Sequence, residues 1–316
     1  MRQAFEIDWV DDETWDAFIQ TSNQNNVFSQ SRLIKCFDQD YLFLLIRKNG
    51  DAKLGFPIIF DKHKQSNFLP YLYYQAPLFS KTIDQMATYR RYNYIQQLTE
   101  TALTALTSKF RSFAFKTHPS ISDVRPYLRF ISDRSVGINV TPNYTAIITP
   151  EDTDIETLES KYRKDRRQDL KYARSAGFEI SEINDVKVLL NLLSQNFHRK
   201  GVNFPDYDKM VLGNIARLSL KEGFGKIYAA QNITGEIVAV QFVLLDSKTM
   251  HAVATGANED FERGVGTFLV NHCIIEALKS NLSFDFNGAN SGFLADYKHS
   301  FDAELKIYFK ISWIQN

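Results

Sequence analysis

Residues 225–245, GKIYAAQNITGEIVAVQFVLL, and residues 255–278, TGANEDFERGVGTFLVNHCIIEAL, decide the fold. The first stretch holds two apolar runs, Lys226–Ala230 and Ile237–Leu245, on either side of a Thr234-Gly235 turn, the pattern of two neighbouring strands. Met250–Thr255 reads as a third strand. The second stretch then passes through a glycine-containing turn into a helix of about 264–279. A strand at Ser283–Phe286, a short helix at about 292–300 and a last strand at Lys306–Trp313 follow. Strands and helices interleaved in this order imply mixed α/β (α+β) layers packed on one another.

Upstream, the spacing predicts a helix from about Asp154 to Ala173, ending before Gly177, and a strand at Phe178–Ile183. Val186, Leu189, Leu190, Leu193 and Phe197 fall on one face of a helix, and a further helix covers about 206–221. In the first half, Asp11 or Asp12 caps a short helix carrying Trp15, Phe18 and Ile19. A second helix is expected over Ser29–Phe37. Tyr41–Arg47 and Ala52–Phe60 are joined by Asn49-Gly50, a strong hairpin signal. A helix over about 84–108, a strand at 110–116 and an extended run at Tyr144–Ile148 complete this half. The pattern restarts after Pro150, which places a linker near Pro150–Thr153 and divides the chain into domains 1–150 and 151–316.

The 316 residues carry 37 Lys+Arg and 37 Asp+Glu, so a whole-molecule electrostatic grip on nucleic acid is not supported and no DNA partner is expected. Phe, Tyr and Trp number 25, 15 and 3, enough large rings to build cores and clefts. The two cysteines, Cys36 and Cys273, form neither a disulfide framework nor a zinc-ligand set, and suit a reducing compartment. Met1 to Phe18 is acidic and has no apolar leader region. The longest greasy stretch, Phe68–Phe79, is interrupted by Pro70 and Pro77, so no membrane span is expected. The chain reads as cytoplasmic. A Walker loop, GxGxxG after a strand, HExxH and GxSxG are all missing, which lowers the weight of kinase, dinucleotide-dehydrogenase, zinc-hydrolase and serine-hydrolase chemistry.

Four segments could carry chemistry. The first is the strand-to-helix turn Arg263, Gly264, Val265, Gly266 and Thr267. Its glycines permit positive φ and close approach of a ligand, and free N–H groups at the helix start would hold a phosphate or pyrophosphate. The bland alternative is a turn whose glycines serve geometry alone. The second is FDFNGAN (284–290) with ADYKHSF (295–301). Asp285 lies on a strand between two Phe, Asn287 and Asn290 crowd the strand end where α/β ligand sites lie, and Tyr297 and Lys298 follow on a short helix. An ammonium there could meet a developing oxyanion; equally, Asp285 could serve a structural hydrogen bond and Lys298 a solvated face. The third is the helix from Lys161 to Arg174, with seven cations and two anions, able to bind a phosphorylated donor or an RNA backbone or simply to be solvated. The fourth, Tyr71–Phe79, offers Tyr73 and Tyr74 as walls of an acceptor cleft, or as core.

The blocks SKYRKDRRQDLKYARSAGFEI (160–180), 225–245, 255–278 and FDFNGANSGFLADYKHSF (284–301), in that order, resemble the acyltransferase domain of FemABX-type proteins of the GNAT superfamily (FemAB-like, BioF2-like). NVFSQSRLIKCF (26–37) and the hairpin after it extend the resemblance into the first half. The resemblance implies two GNAT-like domains, each a mixed twisted sheet flanked by helices. It implies transfer of an acyl group from a coenzyme A thioester, or of an amino acid from aminoacyl-tRNA, to an amine such as a cell-wall precursor. Lys298, preceded by the aromatic Tyr297, matches a family lysine implicated in transfer, and Asp285 matches the family's strand-end aspartate. The carboxylate that some members carry at a strand end in the first half is replaced by Lys116, and the long helical hairpin of some tRNA-using members is missing. Acyl-CoA is therefore the expected donor, ahead of aminoacyl-tRNA, with no tightly bound cofactor and no metal. The sequence reads as an N-acyltransferase with Lys298, Asp285 and Tyr297 at the transfer site. The alternative is a non-catalytic RNA- or nucleotide-binding or interaction module that kept the fold.

Overall fold

The computed structural model describes residues 5–130, 137–258 and 262–315. The chain forms two compact units, Met1–Asn143 with Ile307–Asn316, and Tyr144–Lys306.

The first unit contains β1 (Glu6–Val10), α1 (Asp12–Ile19), α2 (Ser31–Ile34), β2 (Asp40–Lys48), β3 (Asp51–Phe60), β4 (Leu78–Phe79), α3 (Thr88–Lys109), β5 (Ser112–Lys116) and α4 (Arg125–Leu128). Strands β1 to β4 pair antiparallel in sequence order. Asn49 and Gly50 both take positive φ, 54° and 79°, as the predicted two-residue turn requires. Asp11 caps α1 by accepting from the Thr14 N–H at 2.9 Å, and Trp15 stacks on Phe43 with ring centres 4.8 Å apart. Gly55 lets α1 sit on β3: a Cβ there would lie 2.5 Å from the Phe18 ring. β5 pairs with residues 310–314 near the end of the chain. The helix expected over Ser29–Phe37 is a correction. Only Ser31–Ile34 is α-helical, between 3-10 turns at Val27–Ser29 and Lys35–Phe37. Asn26 and Ser29 close a reciprocal capping box, Gln30 is extended, and Asp16 holds Ser31 at its N–H, so side-chain bonds compete with a continuous helix.

The second unit runs through β6 (Asn139–Ile148), α5 (Leu158–Lys161), α6 (Lys164–Ser175), β7 (Glu179–Ile183), α7 (Val186–Arg199), α8 (Asp206–Glu222), β8 (Gly225–Gln231), β9 (Ile237–Leu245), β10 (Thr249–Ala257), α9 (Val265–Lys279), β11 (Ser283–Asp285), α10 (Gly292–His299) and into β12 (Glu304–Ile314). Its sheet order is β6–β11–β10–β9–β8–β7. β10 and β11 are parallel, and the other pairs of this order are antiparallel. The apolar face of α9, with Val265, Leu269, Cys273, Ile274 and Ala277, is buried in the core. The single helix expected from Asp154 to Ala173 is two helices. Tyr162 and Arg163 between them are extended, because tertiary partners hold them: the buried Tyr162 hydroxyl donates to Asn271 at 2.8 Å and the Arg163 N–H to the Ser300 carbonyl at 2.9 Å.

Candidate active site

The parallel pairing of β10 with β11 covers only Thr249–His251 against Ser283–Asp285, while β10 runs on to Ala257. The two strands therefore fork beyond His251. A bulge in β10 between Ala252 and Ala254 marks the same point, and bulges re-aim a strand. At the fork Asn287 donates its side-chain N–H to the Ala252 carbonyl at 3.2 Å.

The chain leaves β11 through a turn in which Asn287 and Gly288 have positive φ, 49° and 103°. Every backbone N–H of this turn is fixed. Phe286 donates to the Ala146 carbonyl at 3.0 Å and Ala289 to that of Tyr144 at 2.6 Å. Asn287 donates to Asp285 Oδ1 at 2.7 Å and Gly288 to Thr145 Oγ1 at 3.0 Å. The carbonyls are thereby aimed at α10, where the Lys298 ammonium donates to Phe286 at 2.9 Å and also to Gly288. Lys298 is half-buried, and burial pushes its pKa down to about 8, against the opposing charge of Asp285. An ammonium has three N–H donors; the turn uses two of those of Lys298.

Asp285 is 1% exposed. Its Oδ1 also accepts from the Thr145 hydroxyl at 2.5 Å, and its Oδ2 lies 3.8 Å from His251 Nδ1. His251, equally buried, pairs through Nε2 with Asp246 Oδ2 at 3.0 Å and through Nδ1 with Asn287 Oδ1 at 3.2 Å. Burial works to lower the His251 pKa, but the hydrogen bond and charge of Asp246, the charge of Asp285 and the bond to Asn287 together outweigh it, and the net shift is upward.

The glycine bend lies under α6. Gly264 has φ of +81°, and a Cβ on it would stand 2.5 Å from the Asp169 carbonyl oxygen. Val265 and Thr267 are buried and Arg263 is exposed, its Nε 3.3 Å from Asp169. Residues 259–261, at the start of the turn, lie outside the described residues. Arg166 of α6 ties the bend to α10: its Nη1 donates to Thr267 Oγ1 at 2.8 Å and its guanidinium sits 5.0 Å from the Tyr297 ring centre. Among the described residues the buried Arg166 Nε has no hydrogen-bond partner. Burial pushes the Tyr297 phenol up to about 12.

The structure thus brings Lys298, Asp285, Asn287 and Asn290 to one strand end, with Asn290 Oδ1 accepting from the Tyr144 N–H at 2.7 Å. Tyr297 and Thr267 meet through Arg166. The basic helix is less cationic than its composition. Arg163 pairs with Asp165 and Asp296, Arg166 with Asp165 and Asp169, and Arg174 with Glu159. In the first unit, Tyr74 is buried, its ring edge-on to Tyr308 at 5.3 Å, and Tyr73 is half-buried beneath the Lys116 ammonium at 4.8 Å. Lys116 donates to the Leu69 and Leu72 carbonyls at 3.3 and 2.6 Å, and burial, with the charge of Lys310, lowers its pKa to about 8. Sequence reasoning missed His251, Asp246 and Thr145; the one visible signal was a histidine inside an apolar strand, between Met250 and Ala252. Among the described residues no group of three or more His, Cys, Asp or Glu is arranged to hold a metal ion, and no helix is long and apolar enough to cross a membrane.

Residues 160–299 match the family model described as an acetyltransferase (GNAT) domain. That stretch, within the second unit, is similar to a GNAT acetyltransferase domain. No curated protein matches the sequence. Among solved structures, FemX is similar over 96% of this chain and 96% of its own, with a TM-score of 0.64 at 11% identity. A conserved protein of unknown function from Bacteroides thetaiotaomicron is similar over 97% of this chain and 99% of its own, with a TM-score of 0.64 at 14% identity. A tandem GNAT protein from the clavulanic acid biosynthesis pathway is similar over 99% of both chains, with a TM-score of 0.56 at 10% identity. At these identities the likeness is one of fold. The mixed α/β, GNAT-like tandem fold expected from the sequence blocks stands, and the acetyltransferase-domain match over residues 160–299 supports the N-acyltransferase class.

Proposed function

We propose that the GNAT domain moves an acyl group from an acyl-CoA thioester to the amine of a small molecule or cell-wall precursor, with aminoacyl-tRNA the less favoured donor. In this reading residues 151–316 are the transferase domain, residues 1–150 accompany it, and the protein works in the cytoplasm. The observation that carries the reading is the fork between β10 and β11, which leaves the β10 backbone beyond His251 without its parallel neighbour, beside a lysine held at the strand end. An extended acyl carrier could lie along such an edge, its carbonyl facing backbone N–H groups, with its phosphates at the bend Arg263–Thr267. Asn287 and Asn290, at the strand end of the second unit, are the candidates for contact with the acceptor.

The acceptor amine attacks the thioester carbonyl and forms the tetrahedral oxyanion, which collapses to amide and releases thiol. The remaining N–H of Lys298 supports the oxyanion or the leaving sulfur. Tyr297, with its phenol pushed up to about 12, stays protonated near neutral pH and acts as a donor. Asp285 is buried, its Oδ1 accepting from Thr145 and Asn287 and its Oδ2 facing His251 at 3.8 Å, so water takes the amine proton. The test is a thermal-shift screen against acetyl-CoA, longer acyl-CoAs, UDP-sugar precursors and charged tRNA. A ligand at 100 times its Kd adds about 2.7 kcal/mol. Stabilisation by acyl-CoA is expected. Stabilisation by charged tRNA alone would replace the donor, and no response to any of them would remove the reading.

A further inference from the structure

Nothing in the transfer reading uses the buried histidine at the fork. His251 touches three elements at once: Asp246 in the turn between β9 and β10, Asp285 on β11, and Asn287 in the turn that follows β11. The side-chain amide of Asn287 is oriented by its donation to the Ala252 carbonyl. Its Oδ1 therefore faces His251 Nδ1 as an acceptor, and Nδ1 must carry a proton. On the other side of the ring Nε2 faces the Asp246 carboxylate, which also acts only as an acceptor. Both ring nitrogens are donors, which is the imidazolium form. It sits between two buried carboxylates, and the upward shift of its pKa has the same cause. From α10 the Lys298 ammonium acts on the cluster through the charge of Asp285, and from β6 the facing group is the neutral Thr145.

Asn287 is the hinge of the turn whose carbonyls hold the Lys298 ammonium, and it takes a left-handed conformation that a non-glycine residue adopts at a cost. Its side chain has two anchors, Ala252 and His251. We propose that His251 is a positioning residue: as an imidazolium held between Asp246 and Asp285, it anchors Asn287 so that the Phe286 and Gly288 carbonyls fix the Lys298 ammonium at the strand end. The inference deepens the proposed transfer site and rests on it for its functional meaning. The clamp itself is physical and is read without any substrate.

The experiment produces the full chain with lysine labelled with carbon-13 at Cε and follows the Lys298 resonance through pH, with Lys298→Arg assigning the peak. His251→Phe removes both donors and the charge, His251→Gln retains a donor without the charge, and Asn287→Ala removes the hinge anchor while leaving the ion pairs in place. Loosening the turn admits water to the ammonium, and loss of the imidazolium removes a repelling charge. Both effects move the Lys298 midpoint up from about 8 toward 10.5. An upward move in His251→Phe and Asn287→Ala, smaller in His251→Gln, is the expected result. Should His251→Phe fail to fold, Asn287→Ala decides. An unchanged Lys298 midpoint in folded Asn287→Ala overturns the proposal. If the midpoints move but Lys298→Ala keeps full acyl transfer, the clamp stands and the transfer reading fails.

Discussion

A Cβ on Gly264 would stand 2.5 Å from the carbonyl oxygen of Asp169, so the bend that opens α9 is also the surface on which α6 rests. The glycine supplies both a positive φ and a close approach. The approach in the structure is that of a neighbouring helix.

Gly264→Ala is expected to be destabilising. Positive φ costs an L-residue about 1–2 kcal/mol, and pushing α6 away adds about 1–3 kcal/mol of overpacking. Urea unfolding checks the sum; a loss confined to the backbone cost of about 1–2 kcal/mol would show that α6 moves aside freely, and a smaller loss would contradict the prediction.

Lys298→Ala and Lys298→Met should lower turnover by about 10²–10³-fold, the usual effect of removing one donor to an oxyanion, with the far-UV circular dichroism unchanged. The ammonium is the active form, so turnover falls as pH rises through about 8. Lys298→Arg keeps its charge throughout that range and should flatten the alkaline limb, whatever its absolute rate. A limb that persists in the arginine variant belongs to another group.

Lys116 gives a stability prediction in the alkaline range. Its native value, about 8, lies below 10.5, so between these values the unfolded chain binds the extra proton. This group's contribution to stability therefore rises with pH across that window, by up to ~1.4 kcal/mol per pH unit, and is lowest below pH 8. Lys116→Met removes the contribution. Chemical denaturation at pH 7.5 and 9.5 should show a smaller rise in the variant than in the parent, and equal rises would contradict the burial of the ammonium.

His251 works in the opposite direction. Its native value is raised above 6.5, so its contribution is fully present below pH 6.5 and is lost as pH rises through the native value. Asp285→Asn removes one of the two facing carboxylates and should cost about 1–3 kcal/mol. The loss should be larger at pH 5.5 than at pH 8.5, and melting curves at the two pH values decide it.

The order of elements was legible because their signals are local. Asn49-Gly50 dictated its turn, Gly177 its helix end, and the 3.6-residue spacing of Val186 to Phe197 its helix. The site was legible in part. Lys298, Asp285 and Asn287 were named for their place at a strand end and do meet there. The two failures have different causes: the Ser29–Phe37 helix yields to side-chain bonds from Asn26 and Asp16, and the 154–173 helix breaks where Tyr162 and Arg163 find partners more than a hundred residues away.

By itself the sequence determined the alternation of strand and helix and the GNAT-like order of its blocks, since hydrophobic period and turn chemistry are written residue by residue. Only the tertiary structure decided what the charged groups are for. Whether an aspartate is a base or a buried clamp, or an arginine a ligand or half of an ion pair, depends on which distant side chain stands within three or four ångströms. The chain fixes that distance only when β6, β10, β11, α6, α9 and α10 pack.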